Sequence, residues 1–376
     1  MAKRKGKSRQ RIRDWGQRLA GGDDVEDRAP VRQRLTQRSV KLPPERVESP
    51  EDNPERLPKR EGMVLGQFPG GVMVRAAGEE LLCGIAKTFR APRGSTALTV
   101  GDLVTVAMTR PEHAGEQLAA DRDRADGFVL SRQPRTSALA RPAPRSGKRR
   151  DPYETESFDK ILVANMDVLL IVAATREPPL SHGRIDRFLI IAERGELAPV
   201  LVINKIDLGP PDEQVLSDFA ELGIDLFLCS AVNGQGVPEL AASLTGKRSV
   251  LAGASGVGKS TLINAIVPLA DAATRPVNVK SQRGRHTTSA ANLYELPGGG
   301  LIVDTPGIRE LGIHLDPAEL PWYFPEFEQI APHCKFRNCT HTHEPACAVL
   351  AAVEAGQLLP RRYQGYLRIL ETIGDA

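Results

Sequence analysis

Long apolar runs are missing from this 376-residue chain, and a bilayer span needs roughly 20 consecutive apolar residues. An apolar stretch is also missing behind Met1-Ala2-Lys3-Arg4-Lys5, so the charge of a secretory leader stands there without its hydrophobic region and no export signal is expected. Cysteine is scarce, at five residues, which excludes a disulfide-built scaffold. Cys83 and Cys229 stand alone, while Cys334, Cys339 and Cys347 share a short histidine-containing stretch, a clustering that favours a metal over bridges. These absences describe a cytoplasmic protein with no membrane partner. A large excess of one charge is lacking as well, with 50 Lys and Arg against 47 Asp and Glu. That balance conceals an asymmetry. Lys3, Lys5, Lys7, Arg9, Arg11, Arg13 and Arg18 crowd the first twenty residues against the single acid Asp14. Residues 1–60, rich in charge, proline and glutamine and without apolar period, read as a disordered basic extension. It either neutralises nucleic-acid phosphates or solvates the chain.

What is present falls into blocks, and the length allows two or three domains. Residues 61–133 carry short apolar or alternating runs, Met63–Leu65, Gly71–Arg75, Leu81–Ile85, Leu103–Ala107 and Phe128–Leu130, with breaks such as Pro69-Gly70. Several short strands punctuated by turns predict a small barrel, of OB or SH3-like type, with Arg90, Arg93 and Arg110 either facing RNA or forming an ordinary charged rim. Residues 134–155, rich in Arg, Lys and Pro, read as a linker. From 156 to 313 strand and helix patterns alternate. Asp167–Ala173 is a continuous apolar strand of the kind a two-sided parallel sheet requires, so a doubly wound α/β sheet is expected. Beyond about Leu315, residues 314–376 read as mostly helical around the cysteine cluster.

The central block holds the chemistry. Gly253-Ala254-Ser255-Gly256-Val257-Gly258-Lys259-Ser260, followed by Thr261, is a complete G-x-x-x-x-G-K-S between a strand and a helix. Its glycines let backbone N–H groups approach phosphates, Lys259 reaches the β- and γ-phosphates, and the Ser260 hydroxyl is a Mg²⁺ ligand. Asn204-Lys205-Ile206-Asp207 ends another strand and reads guanine, because the Asp207 carboxylate accepts from N1–H and the N2 amine, a pair adenine lacks. Ser230-Ala231 ends the next strand, where such a backbone contacts the guanine carbonyl. Asp304-Thr305-Pro306-Gly307 ends a fourth, placing Asp304 near Mg²⁺ through water and the Gly307 amide at the γ-phosphate. Arg283–Thr288 reads as a switch loop in which either Thr287 or Thr288 completes the Mg²⁺ shell.

Two departures from Ras-type GTPases matter. Here the guanine-reading motifs precede the phosphate loop, so the set is circularly permuted and the second switch runs straight into the C-terminal block, a direct route for signalling γ-phosphate loss. Ile308 stands where Ras-type enzymes carry a water-orienting glutamine. Intrinsic hydrolysis is therefore expected to be slow, with His286 as the candidate catalytic residue. In the last block, Cys334-x₄-Cys339-x-His341-x₅-Cys347 offers three thiolates and an imidazole for tetrahedral Zn²⁺, with His333 and His343 as rivals to His341. Lys335, Arg337, Arg361, Arg362 and Arg368 make this block basic enough for RNA, unless they are merely solvated.

The permuted order, Gly253–Thr261, Arg285-His286-Thr287-Thr288, Asp304–Gly307 and the cysteine spacing together resemble the RsgA (YjeQ) family of bacterial small-subunit biogenesis GTPases over about residues 60–376. The resemblance implies an N-terminal OB-fold, a permuted GTPase domain and a helical zinc domain. It also implies one structural Zn²⁺ on Cys334, Cys339, His341 and Cys347, Mg²⁺ with GTP, and His286 as a catalytic candidate. The partners it implies are the 30S subunit and 16S rRNA late in maturation, with GTP hydrolysis stimulated by that subunit. A monomer is expected. Two other readings compete: a permuted GTPase of the large subunit, against which the cysteine cluster argues, and a non-catalytic nucleotide-gated RNA binder.

Overall fold

The computed structural model describes residues 57–68, 70–91, 97–109, 125–141, 160–267, 291–305, 308, 313 and 315–374. All belong to one compact unit, Glu48–Ala376. The basic extension through residue 56 lies outside the described residues, as do Arg93, Arg110, His286, Thr287, Thr288 and Gly307.

Strands β1 (Lys59–Phe68), β2 (Gly71–Ala76), β3 (Glu79–Ile85), β4 (Leu103–Met108) and β5 (Gly127–Arg132) form a closed barrel. Their alternation decides which face turns in: Val72, Val74 and Ala76 of β2 and Val104, Val106 and Met108 of β4 meet in the barrel core. The order β1-β2-β3-β5-β4, with β4 pairing back on β1 and β3 parallel to β5, is the OB-type Greek key. Topology thus settles what periodicity leaves open. Arg90 sits exposed on this barrel and donates to the carbonyls of Lys87 and Phe89.

A polar joint fixes the barrel to the α/β block. Asp102, fully buried, accepts from Arg135 Nε at 2.6 Å and from the Thr99 amide at 2.7 Å. Asn165 Nδ2 donates to the Gly101 carbonyl at 2.9 Å, and its Oδ1 accepts from the Thr136 amide at 2.9 Å. The stretch read as a linker carries a strand of its own, β6 (Ala138–Arg141), paired antiparallel with β7 (Lys160–Ala164). Four residues of mixed Ala, Leu and Arg give too short a period to register as a strand.

The sheet comprises β8 (Val168–Ala174), β9 (Ala198–Asn204), β10 (Asp225–Leu228), β11 (Arg248–Ala252), β12 (Asn292–Glu295) and β13 (Leu301–Asp304), in the order β10-β9-β8-β11-β13-β12. Only β12 runs antiparallel, at the edge. Every residue of the central β8 is buried. Helices α1 (His182–Arg194), α2 (Glu213–Ala220), α3 (Val237–Ser243) and α4 (Lys259–Ile266) cover the sheet over two separate cores. Among the described helices, none is long and apolar enough to cross a membrane.

Short helix α5 (Pro325–Glu328), then α6 (Ala348–Glu354) and α7 (Pro360–Gly374), enclose a third core in which Phe324 and Tyr366 meet edge-on at 5.3 Å. Ile190 of α1 enters this core, while Ile185 and Phe188 of the same helix face the sheet. The expectation that Arg361 and Arg362 face RNA or solvent is corrected here. Arg362 is buried between Asp186 of α1 and Glu326 of α5, and Arg361 pairs with Asp218 of α2 and lies over the Phe219 ring at 4.9 Å. Their charge is spent inward, on carboxylates that sequence distance hides.

Candidate nucleotide site and metal centre

The sheet's C-terminal strand ends bring four motifs together. After β11 the chain turns through Gly253, Gly256 and Gly258 with φ of 143°, 81° and 92° before α4 begins. A Cβ at Gly253 would lie 2.3 Å from the Val172 carbonyl oxygen, and one at Gly258 would lie 2.4 Å from Asn204 Nδ2. Both positions demand glycine for conformation and for space. Lys259 is buried, its Nζ donating to the carbonyls of Gly253 at 2.8 Å and Ala254 at 2.6 Å. Its ammonium lies folded along the loop whose amides would meet a phosphate. Ser255, Ser260 and Thr261 are exposed, and Val257 is buried beneath the loop.

Asn204, at the end of β9 and 1% exposed, joins the other elements to this loop. Its Nδ2 donates to the Val257 carbonyl at 2.9 Å and its Oδ1 accepts from the Ala231 amide at 3.0 Å. In this structure the Ala231 amide is thus engaged with Asn204. Lys205 comes next, in the left-handed region at φ 64°, and Ile206–Leu208 makes one 3₁₀ turn that presents Asp207 to solvent. Ser230 Oγ, fully buried with its residue, donates to Asp207 Oδ1 at 2.6 Å and accepts from the Asn233 amide at 3.3 Å. The Asp207 carboxylate, the Ser230-Ala231 turn and the glycine-rich loop therefore form one hydrogen-bonded unit, although Asp207 and Val257 lie fifty residues apart. Sequence reasoning misses the segment that supports it: Thr175 and Glu177, just past β8, both bond to Lys205. No motif marks them.

Asp304 ends β13, buried beside Thr305, whose Oγ1 has no hydrogen-bond partner among the described residues. A hydroxyl at Ser260 and a carboxylate at Asp304 are the hard oxygen donors that Mg²⁺ takes. Ile308 is 1% exposed and packs in the core that holds Ile185 and Phe188. The side chain at the glutamine position thus points into the protein.

In the C-terminal block, Cys334 Sγ and Cys347 Sγ lie 3.9 Å apart and each is 3.5 Å from His341 Nδ1. With Cys339, the four donor atoms lie within 4.8 Å of one another. A tetrahedral ion with bonds of ~2.3 Å to sulfur sets its ligand atoms ~3.8 Å apart, so the spacing fits zinc. Without a cation the group is poorly balanced. Burial pushes the Cys339 thiol up to about 12 and holds His341 below its ordinary value. A divalent ion reverses the penalty on the thiolate, while the neutral imidazole that burial favours at His341 is already the form that binds a metal. The surrounding bonds orient the ligands: Ala348 donates its amide to Cys334 Sγ at 3.3 Å, and Tyr363 and Tyr366 of α7 donate to the His341 and Thr340 carbonyls at 2.7 and 2.8 Å. His343 instead bonds to Thr342 Oγ1, and His333 is not part of the cluster.

Residues 132–314 match the family model described as RsgA GTPase. The protein from Saccharophagus degradans named small ribosomal subunit biogenesis GTPase RsgA is 36% identical over 92% of this chain and 98% of its own length. Its namesake from Chlorobaculum tepidum is 37% identical over 75% of this chain and 87% of its own. Among solved structures, YjeQ from Thermotoga maritima aligns with a TM-score of 0.60 at 31% identity, covering 84% of this chain and 99% of that one. YloQ, described as a circularly permuted GTPase, aligns with a TM-score of 0.60 at 28% identity over 85% of this chain and 96% of that one.

Proposed function

The chain belongs to the RsgA GTPase family, a GTP-hydrolysing one, and from that premise we propose that it is a cytoplasmic, monomeric, ribosome-dependent GTPase that binds the 30S subunit during late 16S rRNA maturation. The observation that supports it most is the single hydrogen-bonded unit of Asp207, Ser230, Asn204, Ala231 and Val257, which ties a guanine-reading carboxylate to a phosphate loop. In this reading Asp207 selects guanine, Asn204, Lys205, Ile206, Ser230 and Ala231 shape its pocket, and amides of Gly253–Thr261 hold the phosphates. Lys259 swings from the Gly253 and Ala254 carbonyls onto the β- and γ-phosphates. Ser260, Asp304 (through water) and one of Thr287 and Thr288 would hold Mg²⁺, which when bound would supply positive charge for phosphoryl transfer. Gly307 senses the γ-phosphate, and His286 takes the water-orienting role that the buried Ile308 leaves vacant.

A site with its binding parts in place and no orienting glutamine needs help from outside, which supports subunit-dependent turnover. Blocks 61–133 and 314–376 serve as RNA-contacting arms on either side of the GTPase at 156–313, with 134–155 linking and 1–60 as a basic extension. GTP turnover at fixed salt, measured alone, with 30S and with 50S subunits, is the test. Strong stimulation by 30S alone is expected; stimulation by 50S alone, or by neither, would sink the assignment.

The metal reading predicts one Zn²⁺ per chain on Cys334, Cys339, His341 and Cys347. This ion is structural and supplies cross-linking charge rather than chemistry. Cys339→Ser is expected to lower bound zinc well below one per chain by elemental analysis and to open the loop around Thr340 to proteolysis. His343→Ala is expected to leave the stoichiometry unchanged. Equal zinc loss in both variants would remove His341 as the fourth ligand.

A further inference from the structure

Lys205 holds an unfavourable conformation. Outside glycine, the left-handed region costs roughly 1–2 kcal/mol, and at φ 64° this residue sits in it immediately before the turn that presents Asp207. Something must hold it there, and the segment just past β8 does so at four points. The Thr175 amide donates to the Asn204 carbonyl at 3.0 Å. Thr175 Oγ1 donates to the Lys205 carbonyl at 2.7 Å. Lys205 Nζ reaches back to donate to the Glu177 carbonyl. The Arg176 guanidinium covers Gly209, where an added Cβ would come within 3.0 Å of it. Residues 175–177 therefore hold both ends of the Asn204–Gly209 turn, at Asn204 and Lys205 and at Gly209.

We propose that Thr175 is a positioning residue for guanine recognition: its hydroxyl fixes the Lys205 peptide in the left-handed turn and so aims the Asp207 carboxylate at the base. The inference rests on the reading of Asp207 as the guanine-selecting group. Three of the four brace contacts use backbone atoms or the Arg176 side chain. The Thr175 hydroxyl is the part that a single substitution removes while keeping side-chain shape. Valine at 175 matches threonine in size but cannot donate, so the Lys205 carbonyl loses its partner and the turn relaxes toward ordinary φ. Asp207 moves with it. Guanine loses aim at N1–H and N2 together, whereas a base without the N2 amine loses less.

The test measures equilibrium binding of GDP and of IDP, which lacks the N2 amine, to the full zinc-loaded chain and to Thr175→Val, Thr175→Ala and Thr175→Ser, with thermal melting of each. Thr175→Val is expected to weaken GDP roughly five- to tenfold, what one hydrogen bond of ordinary net strength supports, and to shrink the preference for GDP over IDP. Thr175→Ser is expected to restore both within about twofold, since it returns the donor. Thr175→Ala gives the same reading if valine perturbs folding. GDP affinity and preference unchanged in both hydroxyl-less variants would overturn the proposal, as would a serine variant as weak as valine. Weakening with an unchanged GDP-to-IDP preference, in step with a lowered melting point, would also overturn it by making Thr175 merely structural. Failure of the wild type itself to prefer GDP over IDP would instead overturn the reading of Asp207.

Discussion

Arg362→Ala is expected to cost about 3–5 kcal/mol of stability, the range for removing one partner of a buried ion pair. Arg362 and Asp186 have side chains 3% and 1% exposed, so losing the guanidinium leaves a buried carboxylate without its ionic partner. Arg362 NH1 donates to Asp186 Oδ1, while Nε and NH2 reach Glu326 at 2.5 and 3.2 Å, and the guanidinium lies 4.9 Å from the centre of the Phe324 ring. Burial works against the Arg362 charge, but its bonds to Glu326 and the field of Asp186 outweigh that and raise its pKa. Burial already pushes Asp186 above the usual carboxylate range against the pull of Arg362 and Arg361. With Arg362 gone that rise grows, and the folded state binds the Asp186 proton more tightly than the unfolded state does. Stability of the variant then increases as pH falls, so the deficit is expected to be larger at pH 8 than at pH 5. Urea unfolding of the zinc-loaded chain at both pH values measures it. Adding Asp186→Leu to Arg362→Met is expected to recover much of the loss, because the fully buried carboxylate goes with its partner and Glu326, whose side chain is 22% exposed, can turn to water. A deficit below about 1 kcal/mol at pH 8 would mean the pair contributes little to holding α7 on α1.

The same pair marks where sequence reasoning runs out. Arg362 and Asp186 stand 176 residues apart, and a basic pair at the start of a helix looks alike whether it faces RNA or a buried carboxylate. Local patterns are more reliable. Alternating residues in β2 and β4 foretell inward faces, and the unbroken apolar run of β8 foretells a strand covered on both sides. Elements that escape notice are short or polar. Asn292–Glu295 offers two apolar residues to an edge position, and Val237–Ser243 has a proline at its second residue and runs only two turns. In the site, the phosphate loop and Asn204–Asp207 are legible because chemistry fixes residue type at each position. Thr175 is not, because its role depends on a turn formed thirty residues later. Spacing leaves three histidines in contention for the metal cluster; folding puts only the His341 ring among the sulfurs.

Asp207→Asn is expected to weaken GDP at least a hundredfold and to make XDP the better ligand. Ser230 decides this outcome, because its hydroxyl donates to Asp207 Oδ1 at 2.6 Å while accepting from the Asn233 amide at 3.3 Å. In the variant the Ser230 hydroxyl keeps its donor for the side chain at 207, and giving it to Asn Oδ1 preserves the bond made to Asp207 Oδ1. The new amide nitrogen is therefore turned toward the base. Of the two charge-assisted bonds to guanine N1–H and N2, worth about 1.5–3 kcal/mol each, the one to N2 becomes a donor facing a donor and the one to N1–H loses its charge. Xanthine carries a carbonyl in place of the N2 amine, and the same amide nitrogen now meets an acceptor. Discrimination of this kind is large because a buried or oriented polar group without its partner is penalised in full. Asn204 and its bonds to Val257 and Ala231 are untouched, so the phosphate loop keeps its attachment and the variant should still bind a nucleotide. Competition of GDP and XDP against a fluorescent nucleotide measures the inversion. A variant that binds GDP within about threefold of wild type would show that another group reads the base. One that loses both ligands equally would show that Ser230 does not hold the new amide in register.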